Sequence, residues 1–283
     1  MKIASLFLSL TLLGISHTTL IAKSGRPMPS SNATSGDEIM RYEHMNRSME
    51  AMRKLYNEVY LPAHNFPQGW TEPGSCKPGT LSAATLDARK REINYFRKMA
   101  GLQPIDLDPQ MNHYAQAAAY LMYKNNALSH TPPTNWKCYS ADGAKGAGSC
   151  NLGYGGGINS YMHDQGDNNR SVGHRMWILK ESTTTMGYGG TASTDAIYVF
   201  GDHKVHDSLP QYVAWPPAGF CPEEIISDRW SISVPGVSAN YENAKVTLTL
   251  GGQTIPLNYT ERTGYGDDGL AFEIKDWATW EEK

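Results

Sequence analysis

The hydrophobic period changes once along this chain, and that change limits the folds open to it. Between Ser82 and Asn126 apolar residues recur at three- and four-residue spacing, whereas from Trp230 to Ile274 they alternate. A period near 3.6 describes helices that bury one stripe, and a period of two describes strands that bury one face. The chain therefore predicts a helix-bearing domain followed by a β module. Leu86, Ile93, Phe96 and Ala100 form the first stripe, and Gly101 fits the helix end. Pro109 opens a second helix, Gln110 to Asn126, which buries Met111, Ala115, Ala118, Leu121 and Met122. The small residues Ala117, Ala118 and Ala119 let another element approach closely.

The alternating part shows about four strands, including 230–234, 244–250 and 270–274, with Gly251-Gly252 as a turn. A full sandwich of this kind has roughly seven, so the module at 214–283 reads as small, or as an incomplete version of a longer one. Ala214-Trp-Pro-Pro-Ala-Gly219 marks the boundary, giving a main domain over 82–213. Residues 38–81 predict an amphipathic helix through Met45, Met49, Met52, Leu55 and Val59, packed onto its own domain, then a Pro/Gly-rich linker. The segment 134–157, with its run of glycines at 155–157, reads as irregular.

The N-terminus bears on compartment. Met1-Lys2 precedes an apolar run, Ile3 to Leu13, that is too short to span a bilayer, and a small residue stands at Ala22. This predicts a signal peptide over 1–22 and a secreted, extracellular or periplasmic protein, followed by a disordered Ser/Pro/Gly-rich leader at 23–37. An uncleaved anchor is the rival, but no second apolar span follows. Export makes four cysteines a disulfide framework. Cys138 and Cys150 bracket a Gly/Ala-rich loop that a local bridge would close, which leaves Cys76 to pair with Cys221. A zinc site built on these cysteines lacks any Cys-x-x-Cys spacing. The net charge of −3, with no basic stripe, argues against nucleic acid as partner.

A set of short motifs resembles one family. Ile93-Asn-Tyr-Phe-Arg97, Leu107-Asp108, Ala115-Gln-Ala-Ala118, Ser129-His130, Asn151-Leu152, Tyr161 to Asp164, Gly173-His174-Arg175 and Gly187-Tyr-Gly189 follow one another in order. Together they are similar to the CAP superfamily (cysteine-rich secretory proteins, antigen 5 and pathogenesis-related group 1, or SCP domain) in its bacterial form. The resemblance implies an α+β fold, a three-layer α-β-α sandwich, with two histidines and two acidic residues in a cleft.

On that resemblance His130 and His174 fall on the histidine positions and Asp164 on the second acidic one. Asn151, Tyr161 and Arg175 would support the cleft, and the first acidic position carries Cys150. Two imidazoles and one carboxylate suit a divalent metal such as zinc with a water position open. Such binding needs neutral imidazoles and fades as pH falls through roughly 6.5. The bland alternative is that both histidines only hydrogen-bond within the cleft.

The leading expectation is a secreted, non-enzymatic scaffold that binds an extracellular protein, glycan or lipid. Two alternatives stand beside it: a metal-dependent hydrolase using water activated at His130, His174 and Asp164, and a lipid or sterol carrier. His163 is an outside candidate for the cleft, and His203 with His206 reads as a solvated loop. Asn32, Asn46, Asn169 and Asn258 fit the glycosylation pattern.

Overall fold

A computed structural model describes residues 7–11, 48–204, 210, 212–235, 241, 244–250 and 253–277. The segment expected to be a signal peptide, 1–22, therefore lies outside the described residues except for Phe7–Thr11, a strand (β1). The leader at 23–37, the first part of the N-terminal helix and His206 also lie outside them. The described part of that helix is one rod: Met49–Leu55 (α1), a π-helical turn at Tyr56–Tyr60, and Leu61–His64 (α2). It packs on its own domain, with Met52, Leu55, Val59 and Tyr60 sharing a core with Ile93 and Phe96.

The two long helices form where their spacing predicts. Ala83–Met99 (α3) starts at Ser82, whose hydroxyl accepts from Thr85 N. Pro109–Asn125 (α4) starts at Asp108, whose carboxylate accepts from Met111 N, and ends at Asn126 in the left-handed region. Between them lies Asp106–Leu107 (β2). The segment read as irregular contains a helix, Ala141–Ala147 (α5), and a strand, Cys150–Gly153 (β3). Its two glycines, Gly143 and Gly146, would weaken an isolated helix but are here a packing requirement. A Cβ on Gly146 would sit 2.1 Å from Tyr114 O of α4. Tertiary contact outweighs propensity.

Gly157–His163 (α6) and Gly173–Ile178 (α7) follow, then Thr185–Gly190 (β4) and Asp195–Tyr198 (β5). The sheet runs β2-β4-β5-β3, parallel at its first pair and antiparallel after it. Alternation along β4 and β5 divides the core in two. Met186, Tyr188, Ile197 and Val199 face α3 and α6, while Ala196, Cys150 and Leu152 face α4 and α5. Gly187 and Gly189 point at α4, where a Cβ would lie 2.3 Å from Met111 C and 2.1 Å from Gln116 N. Helix, sheet and helix make the three layers.

The β-rich part has more strands than its sequence displays. Val213–Trp215 (β6), Arg229–Ser233 (β7), Lys245–Leu250 (β8), Gln253–Ile255 (β9), Leu257–Thr263 (β10) and Gly269–Ile274 (β11) form two sheets. One runs β10-β11-β7-β6 and the other β1-β8-β9. Trp230, Ile232, Leu248, Ile255 and Phe272 share the core of this part. The short strands β6 and β9, of three residues each, are too brief for alternation to register.

The disulfide expectation is corrected. Cys76 bonds Cys138, while Cys150 and Cys221 are buried and outside any disulfide. Neither Cys138–Cys150 nor Cys76–Cys221 forms. The helix α5 replaces the loop that was to be closed and carries Cys150 into β3, facing the α4 core. The linker meanwhile folds back along α4. Trp70 packs edge-on against Tyr123, and Glu72 accepts hydrogen bonds from Tyr120 (3.1 Å) and Lys124 (2.8 Å). That course delivers Cys76 to Cys138.

Candidate functional site

A cleft of about 910 Å³ opens where the end of α4, the edge strand β3 and the loop between α6 and α7 converge. His130, His174 and Asp164 all line it, as do Asn151, Tyr161 and His163. Arg175 does not; it is fully buried behind the wall.

His130 arrives because Asn126 ends α4 in the left-handed conformation and turns the chain outward. Its Nδ1 lies 2.7 Å from the carbonyl of Ala147, the last residue of α5. A carbonyl only accepts, so Nδ1 carries the proton. The bond also satisfies one of the carbonyls that a helix end leaves open, and Nε2 is the ring's remaining nitrogen. The loop beyond is closed by Asn125, whose amide bonds both Lys137 N and Lys137 O, and by the Cys76–Cys138 bridge one residue further.

His174 is held differently. It is the second residue of α7, a helix of six residues that is too short to stand alone. Asp164 anchors its start, accepting from His174 N (2.9 Å) and Arg175 N (3.4 Å) through Oδ2. Its Oδ1 accepts from His174 Nδ1 at 2.6 Å. At the other end, Arg97 donates to the carbonyls of Ile178 and Lys180, both at 2.8 Å. Asn151 Nδ2 donates to His174 O, and the Tyr161 ring lies 5.4 Å from the imidazole. The Asp164 side chain is 0% exposed and both its oxygens are engaged, so it orients His174 from behind. That is the outer-shell role that fixes which ring nitrogen faces outward.

Buried charge supports this wall. Arg175 donates to the carbonyls of Met162 and His163 at the end of α6 and to Ser231 Oγ on β7. Burial outweighs the favourable field of Asp164 and pulls its guanidinium down to about 10. Arg229, also on β7, donates to the carbonyls of Asp164 and Gly166 and pairs with Glu273 at 2.9 Å. His163, pressed by burial and then by Arg175, titrates below the usual imidazole range. Asp195 receives the Tyr161 hydroxyl and Gly157 N, yet burial still raises its carboxyl. Burial also raises the Cys150 thiol in the cleft wall, keeping it neutral.

The β-rich part reaches the cleft itself. The turn between β10 and β11 places Tyr265 against Gly173, where a Cβ would come 2.9 Å from the ring, and Tyr265 lines the cleft. Gly266, at φ +61°, packs on Met176 O. Sequence reasoning missed Arg229, Ser231 and Tyr265. The Gly264-Tyr-Gly266 turn, an exposed aromatic between two glycines, was the available signal. His203 sits apart, bridged through its backbone to Thr183.

Among the described residues no group of three His, Cys, Asp or Glu side chains is arranged to hold a metal ion. None of their helices is long and apolar enough to cross a membrane. Residues 90–201 match the family described as cysteine-rich secretory protein family, CAP. Neither curated proteins nor solved structures give a match to the chain.

Proposed function

We propose, from the match of residues 90–201 to the cysteine-rich secretory protein family, that this chain is an exported, non-enzymatic scaffold that binds an extracellular ligand in the His130/His174 cleft. The observation that carries this reading is the matched presentation of the two rings. Each commits Nδ1 to a fixed acceptor, Ala147 O or Asp164 Oδ1, and both line one open cleft. Rings anchored in this way have Nε2 as the nitrogen left for a ligand.

On this reading a divalent ion such as zinc would be held by the two imidazoles, through the Nε2 atoms that the anchoring bonds leave over. Bound there, the ion would supply Lewis acidity and a more acidic water. Binding is favoured over hydrolysis because Asp164, the carboxylate that a hydrolase would use, has both oxygens engaged behind His174. Cys150, a buried neutral thiol, stands where the resemblance expects the other acid.

Zinc titration of the purified full chain by calorimetry tests the reading. One ion should bind at neutral pH, and His130→Ala or His174→Ala should each weaken it at least tenfold. Unchanged affinity in both variants, or no binding by the parent, removes the two-imidazole site.

A further inference from the structure

We propose that the ligand class of this cleft is a neutral oligosaccharide, an inference that rests on the cleft reading above and specifies it. The lining is unusual in what it omits. It contains no Lys, Arg or Glu, and its one carboxylate that faces a partner, Asp164, is buried and internally engaged. An anionic ligand finds no fixed counter-charge there, and a cationic one finds no exposed acid.

What the lining offers instead is amides and aromatic faces. Asn159, Gln165, Asn168 and Asn169 lie along the α6–α7 side. Asn159 Oδ1 is buried without a hydrogen-bond partner among the described residues, an acceptor that costs free energy until a donor reaches it. Amide side chains donate and accept at once, which matches sugar hydroxyls that do the same.

Five large apolar side chains are exposed among the described residues, and three of them line this cleft: Tyr154 at 60%, Tyr265 at 48% and Phe200 at 47%. They come from three separate segments, after β3, after β5 and between β10 and β11. Phe200 is braced edge-on by Trp177 at 4.8 Å. Exposed aromatics gathered at one cleft mark a binding surface, and their π faces suit the C–H faces of pyranose rings while the hydroxyls at the ring edge turn to the amides. A lipid chain would need an enclosed apolar channel; this cleft is open to solvent, and its lining interleaves the aromatics with amides and imidazoles. Few convergent polar groups with apolar walls is the general form of a small-ligand site.

The test uses the full chain and calorimetric titration with chitotetraose, cellotetraose and xylotetraose, with tetragalacturonate and palmitate as controls. At least one neutral tetrasaccharide should bind and perturb tryptophan fluorescence through Trp177. Tyr265→Ala and Phe200→Ala should each weaken it at least tenfold, and Tyr139→Ala, an exposed aromatic outside the cleft, should leave it unchanged. Binding of no neutral sugar, preference for tetragalacturonate or palmitate, or full affinity in both cleft variants overturns the proposal. Zinc titration of the same samples separates the two readings. Zinc bound through His130 and His174 with no sugar bound removes the ligand class alone. Sugar bound and weakened by Tyr265→Ala, with no zinc bound, removes the metal alone and supports the ligand class.

Discussion

The two sides of the cleft solve one problem by different means. His130 sits on a loop held by neutral bonds and a covalent staple: one backbone carbonyl, the Asn125 amide and the Cys76–Cys138 bridge. His174 sits on a wall held by buried charge: Asp164, Arg175 and Arg229, the last two reaching between α6, α7 and β7. The difference teaches that the sides should fail under different insults. Reductant acts on the first wall and acid on the second.

The largest expected effect comes from the charged wall. Arg175→Met removes the donor to Met162 O, His163 O and Ser231 and should cost about 3–5 kcal/mol, since each buried acceptor left unpaired costs about 1–3 kcal/mol. Urea denaturation measures it; a loss under about 1 kcal/mol would show that the guanidinium is not a structural keystone. Next is the staple. Reducing Cys76–Cys138, which closes a separation of 62 residues, should lower stability by about 2–4 kcal/mol. Hydrogen exchange should then rise at 127–140 and stay unchanged at 164–178. Equal loosening on both sides would erase the contrast.

A sharper probe is Asp164→Asn. It keeps volume but frees the choice of proton on His174, and zinc affinity should fall about 10- to 100-fold, as for other outer-shell partners. The matching change on the other side has no side chain to remove, since Ala147 supplies a backbone carbonyl. The smallest effect concerns pH. His163 has its folded value lowered by burial and by Arg175, so its contribution is complete above the unfolded value of roughly 6.5 and is lost as pH falls through the lowered one. The stability of His163→Gln, followed by urea midpoint, should therefore depend less on pH across that acidic window than that of the parent. An identical slope would place the acid sensitivity elsewhere.

Much of this was legible along the chain, and the losses share a cause. The helices α3 and α4 announce themselves through stripe, cap and stop: Ser82 and Asp108 at their starts, Gly101 and Asn126 at their ends. The cleft histidines stand out because Ser129-His130 and Gly173-His174-Arg175 lie in ordered motifs. The helix α5 was hidden because its glycines serve contact with α4, and pattern reading treats glycine as a breaker. The disulfide partners were misjudged for the same reason, since sequence distance cannot show that Trp70 and Glu72 lay the linker along α4. Arg229 was invisible as a site residue because its role begins only when β7 meets the turn after α6, at the carbonyls of Asp164 and Gly166.

The turn carrying Tyr265 has a bearing on engineering. It forms part of the rim yet belongs to a hairpin with its own register, Arg262 opposite Leu270 and Thr263 opposite Gly269. A grafted tip of equal length could thus rewrite selectivity while leaving the imidazole floor and its anchors untouched, much as an exchangeable bit changes a tool without altering its handle.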